Sequence, residues 1–174
     1  MKTEESLGTD TDLQKAIFGA GCFWGVEAAF KMQAGVKATT AGYTGGTTNN
    51  PSYKEVCSGR TGHVEALEIT FDPKLISYNR LLDIFWQIHD PTVSNRQGND
   101  IGTQYQAIIF YLTEEQKQAA ELSKRAIEAS GQYTQPIVTQ IRPAEKFWPA
   151  EEDHQDYLEK HPGGYCHINL KAIH

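Results

Sequence analysis

The sequence has few cysteines and lacks a long apolar run. Three cysteines, an odd number, do not suggest the disulfide framework of a secreted domain, and without a Cys-x-x-Cys pair neither a thioredoxin-type motif nor a zinc knuckle is indicated. No segment approaches the ~20 apolar residues of a membrane-spanning helix. The polar stretch 1–14 also lacks the apolar region of a signal peptide. We therefore expect a cytoplasmic protein that does not associate with membranes.

Positive charge is scarce as well. The 174 residues include 16 Lys and Arg against 22 Asp and Glu, which gives a formal net charge of -6. A protein that binds nucleic acid needs a basic surface to neutralise phosphates, and we expect no such partner here. Hydrophobic residues make up 39% of the chain, enough for a packed core at this length. The sequence predicts one domain over residues 1–174, with a polar extension at 1–14 and a Gly-rich tail at 161–174.

Short strands alternate with helices along the chain. The sequence patterns predict strands at residues 15–19, 36–43, 64–71, 104–112 and 136–142, and helices at residues 23–33, 77–89, 113–131 and 150–160. The polar segments 44–62 and 90–103 are expected to be loops, and loops of this length in a compact domain are often functional. This order predicts an α+β fold, a two-layer sandwich with a mixed, largely antiparallel sheet and a ferredoxin-like core with extensions.

The segment Gly19-Ala20-Gly21-Cys22-Phe23-Trp24-Gly25 is the first that points to chemistry. Its glycines allow a sharp turn between strand and helix. Cys22 then lies at a helix N-terminus, where free N–H groups and the helix dipole favour a thiolate with a lowered pKa. Phe23 and Trp24 are candidates for the wall of an apolar pocket, although core packing explains Phe23 equally well. No histidine is close to Cys22 in sequence, so a Cys-His hydrolase stays open but unsupported.

The predicted strand at 64–71 carries a carboxyl group on an apolar face. Alternation places Glu65 on the same face as Leu67, Ile69 and Phe71. Burial among these residues is expected to raise the pKa of Glu65, as a general acid near neutral pH requires. The alternative is a solvated carboxylate at the strand end. Glu68 falls on the other face and is interpreted as an ordinary solvent-exposed charge.

Further candidates lie in the loops and in the tail. The phenols of Tyr53 and Tyr105 are able to donate hydrogen bonds to a ligand oxygen, or else are ordinary half-buried residues. Asp100 contacts a ligand or only shapes a turn. Cys166 is placed to reach a distant thiol and resolve an oxidised intermediate, unless it is an incidental surface thiol. Cys57 is interpreted as structural, because free cysteines are usually buried.

Six short blocks of sequence carry a resemblance to a known family. In chain order they are Gly21-Cys22-Phe23-Trp24-Gly25, Gly42-Tyr43-Thr44-Gly45-Gly46, Asn50-Pro51-Ser52-Tyr53, Val56-Cys57-Ser58-Gly59, Gly62-His63-Val64-Glu65 and Gly102-Thr103-Gln104-Tyr105. Together they resemble peptide methionine sulfoxide reductase type A, and the first block is highly specific. The likeness runs from Ile17 through Cys166, nearly the full sequence.

The resemblance implies an enzyme that reduces the S epimer of methionine sulfoxide, free or in peptides and oxidised proteins, and so repairs oxidative damage. Cys22 would attack the sulfoxide sulfur and become a sulfenic acid. Glu65 would protonate the sulfoxide oxygen, to which Tyr53 and Tyr105 would donate hydrogen bonds. A sulfoxide is a poor electrophile unless its oxygen is protonated or hydrogen-bonded as charge develops, so these roles agree with the residue types.

The resemblance also implies how the substrate is held and how the enzyme is regenerated. Phe23 and Trp24 would hold the substrate's methyl group, and Asp100 would support the polar side of the pocket. Cys166, in the family's Gly-Tyr-Cys tail motif, would form a disulfide with Cys22, which thioredoxin would reduce. Dithiothreitol would replace thioredoxin in vitro, and no metal or organic cofactor is implied. We expect a monomer with an α+β sandwich fold.

The sequence departs from the family pattern in places, and other functions remain open. Gln106 and Ile101 stand where the family often carries Arg. No cysteine follows Cys166, so thioredoxin would have to attack the Cys22–Cys166 disulfide directly. A thiol peroxidase is one rival, although it does not need Glu65 on an apolar face. A module that binds methionine side chains without turning them over is another. A metal site is disfavoured by the scattered cysteines.

Overall fold

A six-stranded mixed sheet with helices on one face is the centre of the computed structural model, which describes residues 12–174. The strands are β1 (Gln14–Ala20), β2 (Val36–Thr44), β3 (Val64–Phe71), β4 (Arg96–Gln97), β5 (Asp100–Ile101), β6 (Ala107–Tyr111), β7 (Gln140–Pro143) and β8 (Trp148–Pro149). The α-helices are α1 (Phe23–Lys31), α2 (Tyr53–Cys57), α3 (Tyr78–Gln87), α4 (Glu114–Ala129) and α5 (Tyr157–Lys160). Single 3-10 turns occur at Thr103–Tyr105, Glu152–His154 and Leu170–Ala172.

The strand order of the large sheet is β7-β6-β1-β3-β2-β8. Only β6 and β7 pair in parallel among the described strands, and the other neighbours are antiparallel. The units β1-α1-β2 and β3-α3-β6 interlock to give the central order β6-β1-β3-β2, which is the ferredoxin-like arrangement. The predicted α+β sandwich with a mixed, largely antiparallel sheet is therefore confirmed.

The main core lies between the sheet and helices α1, α3 and α4. The ring of Phe18 on β1 lies 5.5 Å from that of Phe30 and 5.0 Å from that of Phe85, centre to centre. Burying each such ring contributes on the order of 2 kcal/mol. The segment after β7 covers part of the other face of the sheet, where Phe147 packs near Phe110. The rigid core positions the ends of β1 and β3, where the candidate residues lie.

Helix N-termini follow their capping residues closely. Ser77 caps α3, with its hydroxyl accepting a hydrogen bond from the N–H of Arg80 at 3.0 Å. Thr113 caps α4 through the N–H of Gln116 at 3.1 Å. The Gln116 side chain accepts from the Leu112 N–H instead of the Thr113 N–H, so only half of a capping box forms. These local signals fixed the helix starts to within a residue.

Several predicted boundaries were wrong, mostly where short elements replace loops. Loop 44–62 contains α2, which the capping box of Ser52 and Glu55 initiates, and loop 90–103 contains the β4–β5 hairpin. The predicted strand at 104–112 begins only at Ala107, because a 3-10 turn precedes it. Such short elements are set by polar side-chain contacts and carry no apolar periodicity.

The C-terminal third and the N-terminal extension also differ from the predictions. The strand predicted at 136–142 is the shorter β7, and the helix predicted at 150–160 is broken at Asp156, whose φ of 53° lies in the left-handed region. Most of the extension at 1–14 lies outside the described residues, and Gln14 already belongs to β1. No helix in residues 12–174 is long and apolar enough to cross a membrane.

Candidate active site

The turn from β1 into α1 places a cysteine at the start of the helix. Gly21 has a φ of 93°, and a Cβ on it would lie 2.8 Å from Gln97 Cβ and 2.9 Å from His167 Nε2, so glycine is required there. Cys22 is the N-cap of α1, with a φ of -57° and a ψ of 123°, and the residue is only 6% exposed. The predicted position of Cys22 at a helix N-terminus is therefore confirmed.

The expected lowering of the Cys22 pKa is wrong for the protein without substrate. The backbone N–H groups of Trp24 and Gly25 do face the sulfur and lower the pKa of the thiol. Burial raises that pKa by more, and the nearby Glu65 carboxylate raises it further. The helix terminus thus stabilises a thiolate less than burial destabilises it. Cys22 rests as a thiol, and its ionisation is coupled to the charge on Glu65.

The Glu65 carboxyl is buried next to Cys22, as the alternation of β3 predicted. Glu65 is 1% exposed, and its Oε1 accepts a hydrogen bond from the Phe23 N–H at 3.1 Å. Its buried Oε2 has no hydrogen-bond partner in the described part of the chain. Burial raises the pKa of Glu65 to about 8, against the lowering effect of the Phe23 N–H. The group is therefore mostly protonated at neutral pH, with an O–H free to donate.

Replacing this carboxyl should change how stability depends on pH. The folded-state pKa of about 8 exceeds the usual 4.5, so stability from protonated Glu65 is full below pH 4.5 and is lost as pH rises through 8. At ~1.4 kcal/mol per pKa unit, Glu65→Gln should stabilise the protein at pH 9 by a few kcal/mol relative to pH 5, on the order of 10 °C in Tm. Thermal melts at both pH values check this. Equal Tm differences at the two pH values would contradict it.

Two phenols and a second carboxyl surround the same point. The Tyr53 hydroxyl, at the start of α2, and the Tyr105 hydroxyl, in the 3-10 turn, are both influenced by the charge of Glu65. The charges of Asp100 and Cys22 also raise the pKa of Tyr105. Burial, followed by Glu65, raises the pKa of both phenols, so each stays an O–H donor. The Oδ2 of Asp100 is buried and finds no partner within residues 12–174.

Aromatic rings form one wall of the site. The Phe23 ring is 1% exposed and lies 6.4 Å from that of Tyr53 and 5.4 Å from that of His154, centre to centre. Trp24 donates from Nε1 to His154 Nδ1 at 3.1 Å, and its ring stacks on Tyr157 at 3.8 Å. Because Nδ1 accepts this hydrogen bond, His154 is neutral with its proton on Nε2. Burial lowers the pKa of His154, which is consistent with that neutral form.

A carboxylate from the C-terminal segment holds the tyrosine side of the site. Glu151 Oε1 accepts from the Tyr43 hydroxyl at 2.8 Å, and its Oε2 accepts from the Tyr53 N–H at 2.9 Å. Partial burial raises the pKa of Glu151, but these hydrogen bonds outweigh that effect and hold it below the usual range. Glu151 thereby connects β2 to the first residue of α2 and fixes where the Tyr53 backbone lies.

The C-terminal tail lies against the start of α1. A Cβ on Gly25 would lie 3.0 Å from Cys166 Sγ, so the absence of a side chain there lets the sulfur approach the helix. His167 Nε2 contacts the Ala20 carbonyl at 3.1 Å. The Tyr165 hydroxyl faces Asp100. The predicted tail thiol thus lies against the first turn of the helix that Cys22 caps, and all three cysteines are free in the described chain.

The interpretation of Cys57 as a buried structural cysteine is wrong. Cys57 is exposed at the last position of α2. The Tyr53 hydroxyl and the Gln104 side chain face its sulfur, although burial has the larger effect and raises the pKa of the thiol. A free cysteine in a five-residue helix within a polar loop has no core to enter, so the general burial habit of cysteine does not apply.

The structure brings together all eight residues that the sequence singled out. They are Cys22, Phe23, Trp24, Tyr53, Glu65, Asp100, Tyr105 and Cys166. Sequence reasoning missed Glu151 and His154, which contact residues more than 95 positions away. Both residues lie in the acidic segment 150–160, which the sequence pattern predicts to be a helix, and nothing in that pattern indicates a contact with the site. Within residues 12–174, no group of three or more His, Cys, Asp and Glu side chains is arranged to hold a metal ion.

Comparison with known proteins gives a consistent result. A family model described as peptide methionine sulfoxide reductase matches residues 14–174. The peptide methionine sulfoxide reductase MsrA of Geobacter metallireducens is 58% identical over 155 residues, covering 89% of this chain and 96% of that protein. The protein of the same name from Methanoculleus marisnigri is 54% identical over 160 residues, covering 92% and 98%.

Solved structures agree with the sequence comparisons. The crystal structure of Mxr1 from Saccharomyces cerevisiae in reduced form has a TM-score of 0.82 and 35% identity, covering 92% of this chain and 91% of that chain. Mxr1 in complex with Trx2 has a TM-score of 0.57 and 25% identity, covering 84% and 86%.

Proposed function

Because the chain belongs to the peptide methionine sulfoxide reductase family, we propose that Cys22 is its nucleophile and Glu65 its general acid. The protein is an enzyme that reduces methionine sulfoxide. The observation that supports these roles is the buried pair itself, in which the N–H of the residue after Cys22 holds one oxygen of Glu65. The other carboxyl oxygen has no hydrogen-bond partner among residues 12–174 and would be available to a substrate oxygen.

The first half of the cycle transfers one oxygen atom from substrate to enzyme. The Cys22 sulfur attacks the sulfoxide sulfur while Glu65 gives its proton to the sulfoxide oxygen. The hydroxyls of Tyr53 and Tyr105 donate hydrogen bonds to that oxygen, where negative charge develops. The attack forms a bond between the two sulfur atoms. That bond and the substrate S–O bond break as the protonated oxygen moves to the Cys22 sulfur, so methionine leaves as the thioether and Cys22 becomes a sulfenic acid. The proton that the Cys22 thiol loses passes to Glu65, which returns to its neutral form. The substrate sulfur gains two electrons and the Cys22 sulfur loses two.

The wall formed by Phe23 and Trp24 selects the orientation of the substrate. A methyl group held against these rings leaves the sulfoxide oxygen to point toward Glu65 for one configuration at sulfur only. The proposed substrate is the S epimer, which the resemblance to the type A family implies, free or in peptides and oxidised proteins. Asp100, whose buried Oδ2 has no partner in the described part of the chain, lies on the polar side of this pocket.

The second half of the cycle regenerates the thiol. Cys166 attacks the sulfenic acid of Cys22, a disulfide forms and water leaves. A dithiol such as thioredoxin then reduces the Cys22–Cys166 disulfide and is itself oxidised. The similar protein Mxr1 has been crystallised in complex with Trx2, which supports a thioredoxin partner here. The cycle uses no bound cofactor. The monomeric state and the cytoplasmic location stay predictions.

The proposed function is tested by reduction of N-acetylmethionine sulfoxide, with the S and R epimers assayed separately. Thioredoxin, its reductase and NADPH supply electrons, and dithiothreitol is used in parallel. The S epimer should be consumed with both reductants, and the R epimer with neither. Cys22→Ser should abolish turnover while it preserves substrate binding. Failure of both epimers with both reductants would refute the proposal, and consumption of hydroperoxide alone would favour the peroxidase.

A further inference from the structure

One buried carboxyl group has no part in the proposed chemistry. Glu27 on α1 is 2% exposed, and burial raises its pKa. Its Oε2 accepts a hydrogen bond from the Thr39 hydroxyl at 2.8 Å, and its Oε1 accepts one from the Asp156 N–H at 2.7 Å. Both oxygens are thus used within the fold. A carboxyl group is costly to bury even when it is hydrogen-bonded, so its place calls for an explanation.

The residue that Glu27 holds is in an unfavourable backbone conformation. Asp156 has a φ of 53°, a left-handed geometry that is unfavourable for a residue with a side chain. The turn persists because its groups are held from outside: Glu27 accepts the Asp156 N–H, and Lys31 pairs with the Asp156 carboxylate. Both holding residues belong to α1. The neighbouring Gln155 side chain pairs with the N–H and carbonyl of Ala41 on β2.

This turn decides where two pocket residues lie. His154 precedes it by two positions and accepts the Trp24 indole N–H, while Tyr157 follows it and stacks on the Trp24 ring. Trp24 and Glu27 are three residues apart, so they lie on one face of α1. One face of α1 therefore carries both Trp24 and Glu27. Glu27 accepts the hydrogen bond from the turn that separates His154 and Tyr157, the two residues that contact Trp24.

We propose that Glu27 is a positioning residue of the substrate pocket, which fixes the left-handed turn at Asp156 and so locks His154 and Tyr157 onto Trp24. Glu27 touches neither the substrate nor the reacting atoms, and it acts through the orientation of the indole ring. The inference rests on the proposed methyl-binding role of Trp24. Loss of the lock should weaken substrate binding more than it slows the chemical step at Cys22.

The test compares removal of the whole Glu27 carboxyl group with removal of only one of its two hydrogen bonds. Glu27→Ala should raise the KM for N-acetylmethionine-S-sulfoxide about tenfold, equivalent to ~1.4 kcal/mol, with kcat within about twofold. Thr39→Val removes only the bond to Oε2, keeps a β-branched residue in β2, and should leave KM unchanged. Glu27→Gln keeps an acceptor for the Asp156 N–H and should restore wild-type KM. Assays with dithiothreitol keep the thioredoxin step out of the comparison.

A second readout does not depend on turnover. Hydrogen exchange of the Trp24 indole N–H, followed by NMR, should speed up about tenfold in Glu27→Ala and stay slow in Thr39→Val. If Glu27→Ala does not fold, Glu27→Asp serves in its place, because the shorter side chain keeps a carboxyl group but does not reach the Asp156 N–H. Unchanged exchange and KM, or equal effects of both hydrogen bonds, would overturn the proposal. Absence of wild-type turnover would instead refute the proposed function and leave the exchange test intact.

Discussion

Glu65→Gln should lower kcat for methionine-S-sulfoxide by about a hundredfold or more, with little change in KM. Glutamine has the same shape and its oxygen can still accept the Phe23 N–H that Glu65 accepts at 3.1 Å. Its amide N–H is far too weak an acid to protonate the sulfoxide oxygen. Loss of a positioned general acid costs roughly 10²–10⁴ in rate. Steady-state assays with dithiothreitol at saturating substrate measure this directly.

A second carboxyl on the same strand provides the control. Glu68 lies three residues along β3 on the other face and pairs with Lys15 at 3.4 Å. Glu68→Gln should keep kcat within about twofold, because this side chain lies on the other face of the strand from Glu65. Loss of its ion pair should also change the stability of the fold little, since surface ion pairs contribute about 0–1 kcal/mol to it. Wild-type activity should also fall above pH 8 as Glu65, with a pKa of about 8, ionises. If Glu65→Gln retains kcat within threefold, another group is the acid.

Local sequence patterns predicted the acid because its position depends on a short-range rule. In a strand, alternate residues share a face, so three apolar neighbours were enough to place Glu65 in the core. The helix start at Cys22 was equally local, since glycines on either side require a turn there. The ferredoxin-like strand order follows from the succession of strands and helices along the chain, and the apolar periodicity of the sequence predicts that succession.

The remaining parts of the site depend on contacts between distant segments. Trp24 and His154 are 130 positions apart, and the sequence around either residue does not predict the contact between them. The left-handed turn at Asp156 breaks a segment that reads as one acidic helix, because the groups that hold the turn belong to α1. The Cys22 pKa depends on the sum of burial, helix N–H groups and Glu65, and sequence indicates only one of the three.

The thiol and the acid are best understood as a coupled pair. A charged Glu65 raises the pKa of Cys22, so a neutral Glu65 removes one obstacle to forming the thiolate. Near neutral pH the carboxyl is mostly protonated, because its pKa is about 8. In the proposed mechanism, the acid gives its proton to the substrate oxygen as the Cys22 sulfur attacks.

Cys166→Ser should abolish turnover with thioredoxin and spare turnover with dithiothreitol. The Cys166 sulfur lies against Gly25 on the helix that Cys22 caps, whereas a small dithiol can reduce the Cys22 sulfenic acid without it. The variant should therefore accumulate sulfenic acid after one turnover, detectable by a dimedone probe. Peptide mapping of the wild-type protein oxidised by substrate should show a Cys22–Cys166 disulfide and a free Cys57. Thioredoxin-driven turnover at the wild-type rate would show that another thiol resolves the intermediate.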